Sequence, residues 1–243
     1  ARKTTLQEMV RAGAGVFRLN FSHGTLAEHE RFLARIWEIR RGISHKVEIL
    51  QDLAGHRIRT GRLKRGQPVS LADGQRFVLY RGIVPGTRTG VALDYPGRFD
   101  IIHRHQMIYI DDGNIHLQVE HSSADRLNTV VIQGGRLGER KGVNIPGATL
   151  EFPPISDKDI RDLEFAIAAR VEYVAQSFVR NANDVHEVKR RLARTLPHCR
   201  VIAKIENREG IKNIAAILKA ADGIMVARGD LGISVPVYEI PVL

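Results

Sequence analysis

The run Val201–Ile233, VIAKIENREGIKNIAAILKAADGIMVARGDLGI, limits the possible folds more than any other stretch of the chain. A short apolar segment, Val201–Ile205, ends with Lys204 and Glu206 on either side of Ile205. A segment with helical character follows over Ile211–Ala220. A second apolar run, Gly223–Val226, then breaks into Ala227-Arg228-Gly229-Asp230-Leu231-Gly232. Short apolar runs that alternate with amphipathic helices indicate parallel strands buried on both faces. In such a βαβ unit both strands point the same way, so their carboxyl ends open on one side. Glu206 and Asp230 are then expected just past adjacent strand ends, with Lys204 in the last turn of the first strand. Two carboxylates and a lysine in that position suit a divalent cation holding an anionic substrate.

The rest of the chain repeats this rhythm with one interruption. Residues 4–12 read as a helix ending at Gly13, and Val16–Leu19 as a strand. Thr25, with Glu28 three residues on, forms a capping box for a helix from Leu26 to about Arg41. Its apolar positions recur at helical spacing, and Trp37 among them is expected in the core. Val47–Leu50 reads as the next strand. From about Ile58 to Ile145 helical periodicity disappears. Alternating runs at Phe77–Tyr80, Met107–Ile110, Ile115–Val119 and Thr129–Gln133 replace it, separated by Asp73-Gly74, Pro85-Gly86, Pro96-Gly97 and Asp112-Gly113. That pattern predicts a small all-β domain inserted into an α/β one. After Pro153-Pro154 the α/β pattern returns. Ser156 caps a helix with Asp157 and Asp159 in its first turn. Tyr173–Gln176 is a strand, and Asn181 or Asn183 caps a basic-faced helix ending near Leu196-Pro197.

Strand–helix alternation allows a parallel barrel or a doubly wound sheet. There is no glycine-rich dinucleotide turn and no P-loop lysine motif, and polar residues follow the strand ends. This favours a barrel, in which the loops at the strands' carboxyl ends carry the chemistry. The expected fold class is therefore α/β: a partial TIM (β/α)8 barrel with an inserted small all-β domain. Its domains are expected at 1–57 (barrel, first part), 58–150 (inserted β-barrel lid) and 151–243 (barrel, second part, incomplete). Strands from 16–19, 47–50, 173–176, 201–205 and 223–226 do not close an eight-stranded barrel, and more would follow Pro236. An open sheet of this kind carries apolar edges prone to aggregation.

The formal charge of +10 over 243 residues raises the question of nucleic acid. The cations are scattered and rarely interleaved with aromatics. The densest group, Arg57, Arg59, Arg62, Lys64 and Arg65, sits beside glycines at a predicted turn. Small phosphorylated anions fit this pattern better than nucleic acid. No apolar run approaches the length of about 20 residues that spans a bilayer, so no membrane association is expected. A single cysteine, Cys199, argues against a disulfide framework and fits a reducing cytoplasm.

Several motifs, in order and at consistent spacing, resemble the pyruvate kinase family. They are Arg18-Leu19-Asn20-Phe21-Ser22-His23-Gly24, Ile58-Arg59-Thr60-Gly61, Asp111-Asp112-Gly113 and Lys141-Gly142-Val143-Asn144-Ile145-Pro146-Gly147. Ser177-Phe178-Val179-Arg180, Lys204-Ile205-Glu206-Asn207 and Asp222–Gly232 complete the set. The resemblance covers essentially the whole chain. Against the family pattern, the first barrel strand, the last two and the C-terminal regulatory domain are not matched, as in an incomplete bacterial-type member.

The resemblance implies a magnesium-dependent phosphotransferase of glycolysis. It would move a phosphoryl group from phosphoenolpyruvate to ADP, giving pyruvate and ATP, and would act in the cytoplasm within a homotetrameric parent enzyme. Phosphoryl transfer depends mainly on positioning and charge neutralisation. By resemblance, Lys204 and Arg18 are the catalytic residues, with Arg18 on the substrate phosphate. Ser177, Phe178, Gly229 and Asp230 join them in binding substrate. Glu206 and Asp230 match the Mg2+ ligands, and Arg59, Lys141 and Asp112 the nucleotide side, which a closing lid would shield from water. The family's K+ site would use Asn20, Ser22, Asp52 and Leu53. Leu53 replaces the usual threonine, Ala54 and His56 the usual lysine and proline, and Arg57 stands where K+-dependent members carry a glutamate. A fixed guanidinium can supply the charge of the ion, so the parent enzyme is expected to work without K+. The chain by itself is expected to turn over little or not at all.

Two other readings stay open. Lys204–Glu206 with Gly210, Asn213 and Asp222–Asp230 also resembles magnesium-dependent 2-oxo-acid aldolases and citrate-lyase-like barrels. The inserted β domain and Arg18–Gly24 belong to neither. The departures at Leu53 and Ala54 would also suit a non-catalytic, pyruvate-kinase-like regulatory module.

Overall fold

The computed structural model describes residues 2–42, 46–148 and 150–235. In chain order the elements are α1 (Lys3–Arg11), β1 (Val16–Asn20), α2 (Leu26–Arg40), β2 (Glu48–Asp52), β3 (Val69–Leu71), β4 (Arg76–Arg81) and β5 (Gly90–Leu93). Next come β6 (Met107–Ile110), β7 (Ile115–Ser122), β8 (Arg126–Gln133), β9 (Gly135–Leu137), β10 (Val143–Asn144), α3 (Asp157–Ala169) and β11 (Tyr173–Gln176). The last are α4 (Ala182–Leu192), β12 (Arg200–Ile205), α5 (Arg208–Lys212), α6 (Ile214–Ala220), β13 (Gly223–Val226) and α7 (Arg228–Ser234). They cluster into two compact units, residues 1–56 with 153–227 and residues 57–152 with 228–243. The stretch from Pro236, after which further strands are expected, lies outside the described residues.

The first unit is built on a wholly parallel sheet in the order β1-β2-β11-β12-β13. Its inner strands are buried on both faces, as their near-continuous apolar runs require. Leu6 and Val10 of α1, Leu33, Ile36 and Ile39 of α2, and Val185 and Val188 of α4 pack on it. The outer strands β1 and β13 carry exposed Val16, Ile224 and Val226. Local signals set the helix starts. Thr25 and Glu28 make the expected reciprocal capping box. Ser156 Oγ accepts the Asp159 N–H, and it is Asn181, not Asn183, that caps α4.

Two helical expectations are corrected. Trp37 is 40% exposed, because the buried stripe of α2 runs through Leu33, Ile36 and Ile39 and leaves Trp37 beside it. The segment 211–220 is not one helix but the end of α5 and α6, broken at Asn213. The Asn213 side chain donates to the carbonyl of Arg180 at 2.8 Å, a tertiary bond that no local pattern contains.

The second unit is the inserted β structure. A curled six-stranded sheet runs β10-β6-β7-β8-β4-β5, and β3 pairs with β9. Phe77, Leu79, Ile108, Ile110, Leu117 and Val119 alternate inward to form its separate core. The partial (β/α)8 barrel with an all-β insertion is therefore the fold of the chain. No helix among the described residues is long and apolar enough to cross a membrane.

Candidate active site

The parallel register of the first unit brings four polar side chains together where its strands end. Asp52 closes β2 and lies level with Ala175 on β11, and Gln176 lies level with Ala203 on β12. Ser177 and Lys204 each follow one of those paired residues. Lys204 Nζ is 2.9 Å from Glu206 Oε1 and 3.1 Å from Asp52 Oδ1, and it donates to Ser177 Oγ at 2.6 Å. Ser177 Oγ in turn donates to the Leu53 carbonyl at 2.7 Å. Asp52 and Glu206 are each 1% exposed and Lys204 is 7% exposed. Charges buried this deeply persist only when paired and hydrogen-bonded.

Arg18, from β1, extends the cluster towards solvent. Its Nε donates to Asp52 Oδ2 at 2.6 Å, and its Nη2 pairs with the same oxygen. Asp52 therefore holds Arg18 through one oxygen and Lys204 through the other. The backbone N–H of Phe178 donates to Glu206 Oε2 at 2.8 Å. Phe178 has a φ of 55°, a left-handed conformation unusual for a bulky residue. The bond to Glu206 and the packing of its neighbours hold that turn in place.

Asp159 organises the loop after β2, a role its sequence position does not reveal. Its carboxylate accepts the N–H of Ala54 at 3.0 Å and that of Gly55 at 3.1 Å, and Ser156 Oγ donates to it at 2.6 Å. The sequence marks Asp159 only as a first-turn acid of α3. Its service to a loop more than a hundred residues away has no local signature. Gly55 in the same loop has φ +69°, and a Cβ there would lie 2.9 Å from Ser177 Cβ.

His56 follows in this loop. Burial pushes its imidazole below the usual histidine range, the neighbouring Arg180 lowers it further, and Asp159 and Asp184 oppose both. Because the folded-state value is depressed, the unfolded chain binds the proton more readily. This contribution to stability is complete above the ordinary value of about 6.5 and is lost as the pH falls below it. The melting midpoint is expected to drop between pH 7.5 and 5.5, and a His56→Gln chain should lose part of that drop in a paired pH series.

The remaining expected site residues add no side chain to this cluster. Asn20 Oδ1 accepts the Ser22 N–H at 3.0 Å. Leu53 is buried in the core and offers only its carbonyl, which Ser177 already engages. In the second unit, Asp230 Oδ1 accepts a bond from Arg57 at 2.5 Å, and Gly229 and Asp230 lie in the first turn of α7. Lys141 pairs with Asp111 at 2.9 Å rather than with Asp112, and Arg59 donates to the Arg140 carbonyl at 3.2 Å. The register of the first unit thus unites Arg18, Asp52, Ser177, Lys204 and Glu206, while Arg59, Asp112, Lys141 and Asp230 belong to the second unit. Among the described residues no group of three or more His, Cys, Asp or Glu side chains forms a ready metal site.

Buried acid–lysine clusters at the carboxyl ends of parallel strands are where barrel enzymes carry their chemistry. The class this defines is an α/β-barrel protein with a built-in β insertion. The family model "Pyruvate kinase, barrel domain" matches residues 1–243. A pyruvate kinase of Geobacillus stearothermophilus is 42% identical over 98% of this chain and 41% of its own length. One from Thermococcus litoralis is 38% identical over 100% of this chain and 51% of its own length. Pyruvate kinase 2 of a Synechocystis species is 41% identical over 99% of this chain and 41% of its own length. The chain belongs to the pyruvate kinase family. It spans about half the length, or less, of these curated relatives.

Proposed function

We propose that the chain carries the phosphoenolpyruvate-binding half of a magnesium-dependent phosphotransferase, one that passes a phosphoryl group to ADP and releases pyruvate. The observation that supports this most is Lys204, a buried ammonium fixed by Asp52, Glu206 and Ser177. A positive charge held in place before the reaction neutralises the moving phosphoryl group without the cost of reorganising solvent, and such an effect lowers a barrier by several kcal/mol. Arg18, half exposed and anchored on Asp52, is suited to hold the substrate phosphate. Ser177 orients the lysine, and Phe178 fixes Glu206 through its N–H.

The carboxylates of Glu206 and Asp230 are hard oxygen donors, the kind Mg2+ selects. When bound, that ion would supply charge neutralisation at the phosphoryl group. Gly229 would share in binding substrate, and Arg59, Lys141 and Asp112 would serve the nucleotide, with residues 58–150 as a lid domain and 1–57 and 151–243 as parts of the barrel. The parent enzyme is a cytoplasmic homotetramer in this reading. It works without K+, because Arg18 and Lys204 already occupy both oxygens of Asp52 and the Leu53 carbonyl is engaged.

Calorimetric titration of phosphoenolpyruvate into the 243-residue chain tests the proposal. With Mg2+ in a sodium-free buffer, saturable binding is expected that adding K+ leaves unchanged and that Arg18→Gln weakens by about tenfold or more. Steady ADP-dependent release of pyruvate is expected to be slight. Absence of binding, or binding indifferent to Arg18, would exclude this use of the site.

A further inference from the structure

The second unit contains a cavity of about 1080 Å3, large enough for a drug-sized ligand. Arg59, Lys141 and Asp112, the residues assigned to the nucleotide, are not part of its lining. Its accessible apolar surface comes mainly from Val84 and Pro85, both exposed, and Ile83, which is fully exposed, whereas Leu63 and Leu93, also in its lining, are buried. Arg62, Lys64, Arg65 and Arg81 also line it. The acids that reach it are Asp94 and Asp125, and both are engaged: Asp94 accepts the Arg59 N–H, and Asp125 accepts a bond from Ser123 Oγ at 3.1 Å. Among the described residues, the side chains of Arg62, Lys64 and Arg65 form no ion pair.

The backbone that carries these cations is fixed. Gly86 donates its N–H to the Arg62 carbonyl at 2.8 Å and accepts the Lys64 N–H at 2.8 Å. This close approach requires glycine, because a Cβ on residue 86 would lie 2.7 Å from Leu63 Cδ2 and 2.7 Å from Val91 Cγ2. Arg81 is tied to the opposite wall by its Nε bond to the Pro96 carbonyl at 3.2 Å. The result is an open hollow with aliphatic side chains, four cations around it, and two acids that each already accept a hydrogen bond. An ordinary solvated charge run would not gather exposed aliphatic side chains beside it, and a purely apolar ligand would leave the cations without partners.

We propose that this cavity binds a small organic anion, with an apolar body against Ile83, Val84 and Pro85 and a carboxylate, sulfonate or phosphate head on Arg62 and Lys64. The site is independent of the proposed catalytic cluster, so either can fail without the other. Fluorescence titration of the 243-residue chain with 8-anilinonaphthalene-1-sulfonate tests it, with neutral N-phenyl-1-naphthylamine as the control. One saturable site is expected for the sulfonate, with the neutral analogue about tenfold weaker. Arg62→Glu combined with Lys64→Glu, both at exposed positions, should weaken sulfonate binding about tenfold or more. Ile83→Asp should weaken it several-fold while both variants keep the melting midpoint of the unaltered chain. Binding that is the same in both variants, or the same for the neutral analogue, would overturn the proposal. So would capture of the chain by phosphatidylserine vesicles without uptake of the soluble sulfonate, which would mark a membrane-facing patch instead.

Discussion

Lys204→Met is expected to lower the melting midpoint by about 10 °C and to abolish measurable phosphoenolpyruvate binding. The lysine lies between two carboxylates that are each 1% exposed. Removing one partner of a buried ion pair leaves the remaining charge uncompensated, which typically costs about 3–5 kcal/mol. For a chain of this size each kcal/mol corresponds to roughly 2–4 °C. Asp52 keeps Arg18 after the change, Ser177 keeps the Leu53 carbonyl and Glu206 keeps the Phe178 N–H, while Glu206 loses the ammonium 2.9 Å from its Oε1. Adding Glu206→Gln to Lys204→Met should therefore recover part of the lost stability, because the amide can still accept the Phe178 N–H. It should not recover substrate binding. A Lys204→Met chain that melts within about 2 °C of the unaltered one, or a double variant less stable than the single, would contradict the buried-cluster account.

Gly55→Ala should cost about 2–4 kcal/mol in urea denaturation. The φ of +69° penalises any side chain, by roughly 1 kcal/mol or slightly more. The new Cβ would also meet Ser177 Cβ at 2.9 Å, Phe178 Cδ2 at 3.0 Å and the Ser177 carbonyl at 3.0 Å. Overpacking of that kind adds about 1–3 kcal/mol. Gly66→Ala supplies the control, since Gly66 has a similar φ of +66° and nothing within 4 Å of its Cβ position. Gly66→Ala should cost only the backbone strain. If the two substitutions cost the same, the loop after β2 is not pressed against Ser177 and Phe178.

Much of the fold is legible in the sequence because its signals are local. The capping box at Thr25 and Glu28, the Ser156 cap and the apolar runs of β2, β11, β12 and β13 each depend on residues a few positions apart. The short strands β3, β5 and β9 are not legible, since Val69 pairs with Leu137 and Val78 with Gly90, and neither partner marks itself. Trp37 shows the limit of periodicity, which places a residue near a helix face but does not say where the buried stripe ends. The break at Asn213 escapes for the same reason as the role of Asp159: each is decided by one hydrogen bond to a distant carbonyl or amide.

The candidate site divides in the same way. The sequence alone determines which residue types stand at the strand ends, and so marks Lys204, Glu206 and Asp230 as candidates, while Arg18 enters by family resemblance. Asp52 enters from the sequence by family resemblance, as a ligand for a monovalent cation. Only the tertiary structure makes it the carboxylate that holds Arg18 on one oxygen and Lys204 on the other. Residues 18, 52, 177 and 204 meet because β1, β2, β11 and β12 pair in one parallel register. That register is set by packing between strands far apart in the chain, and no local pattern encodes it.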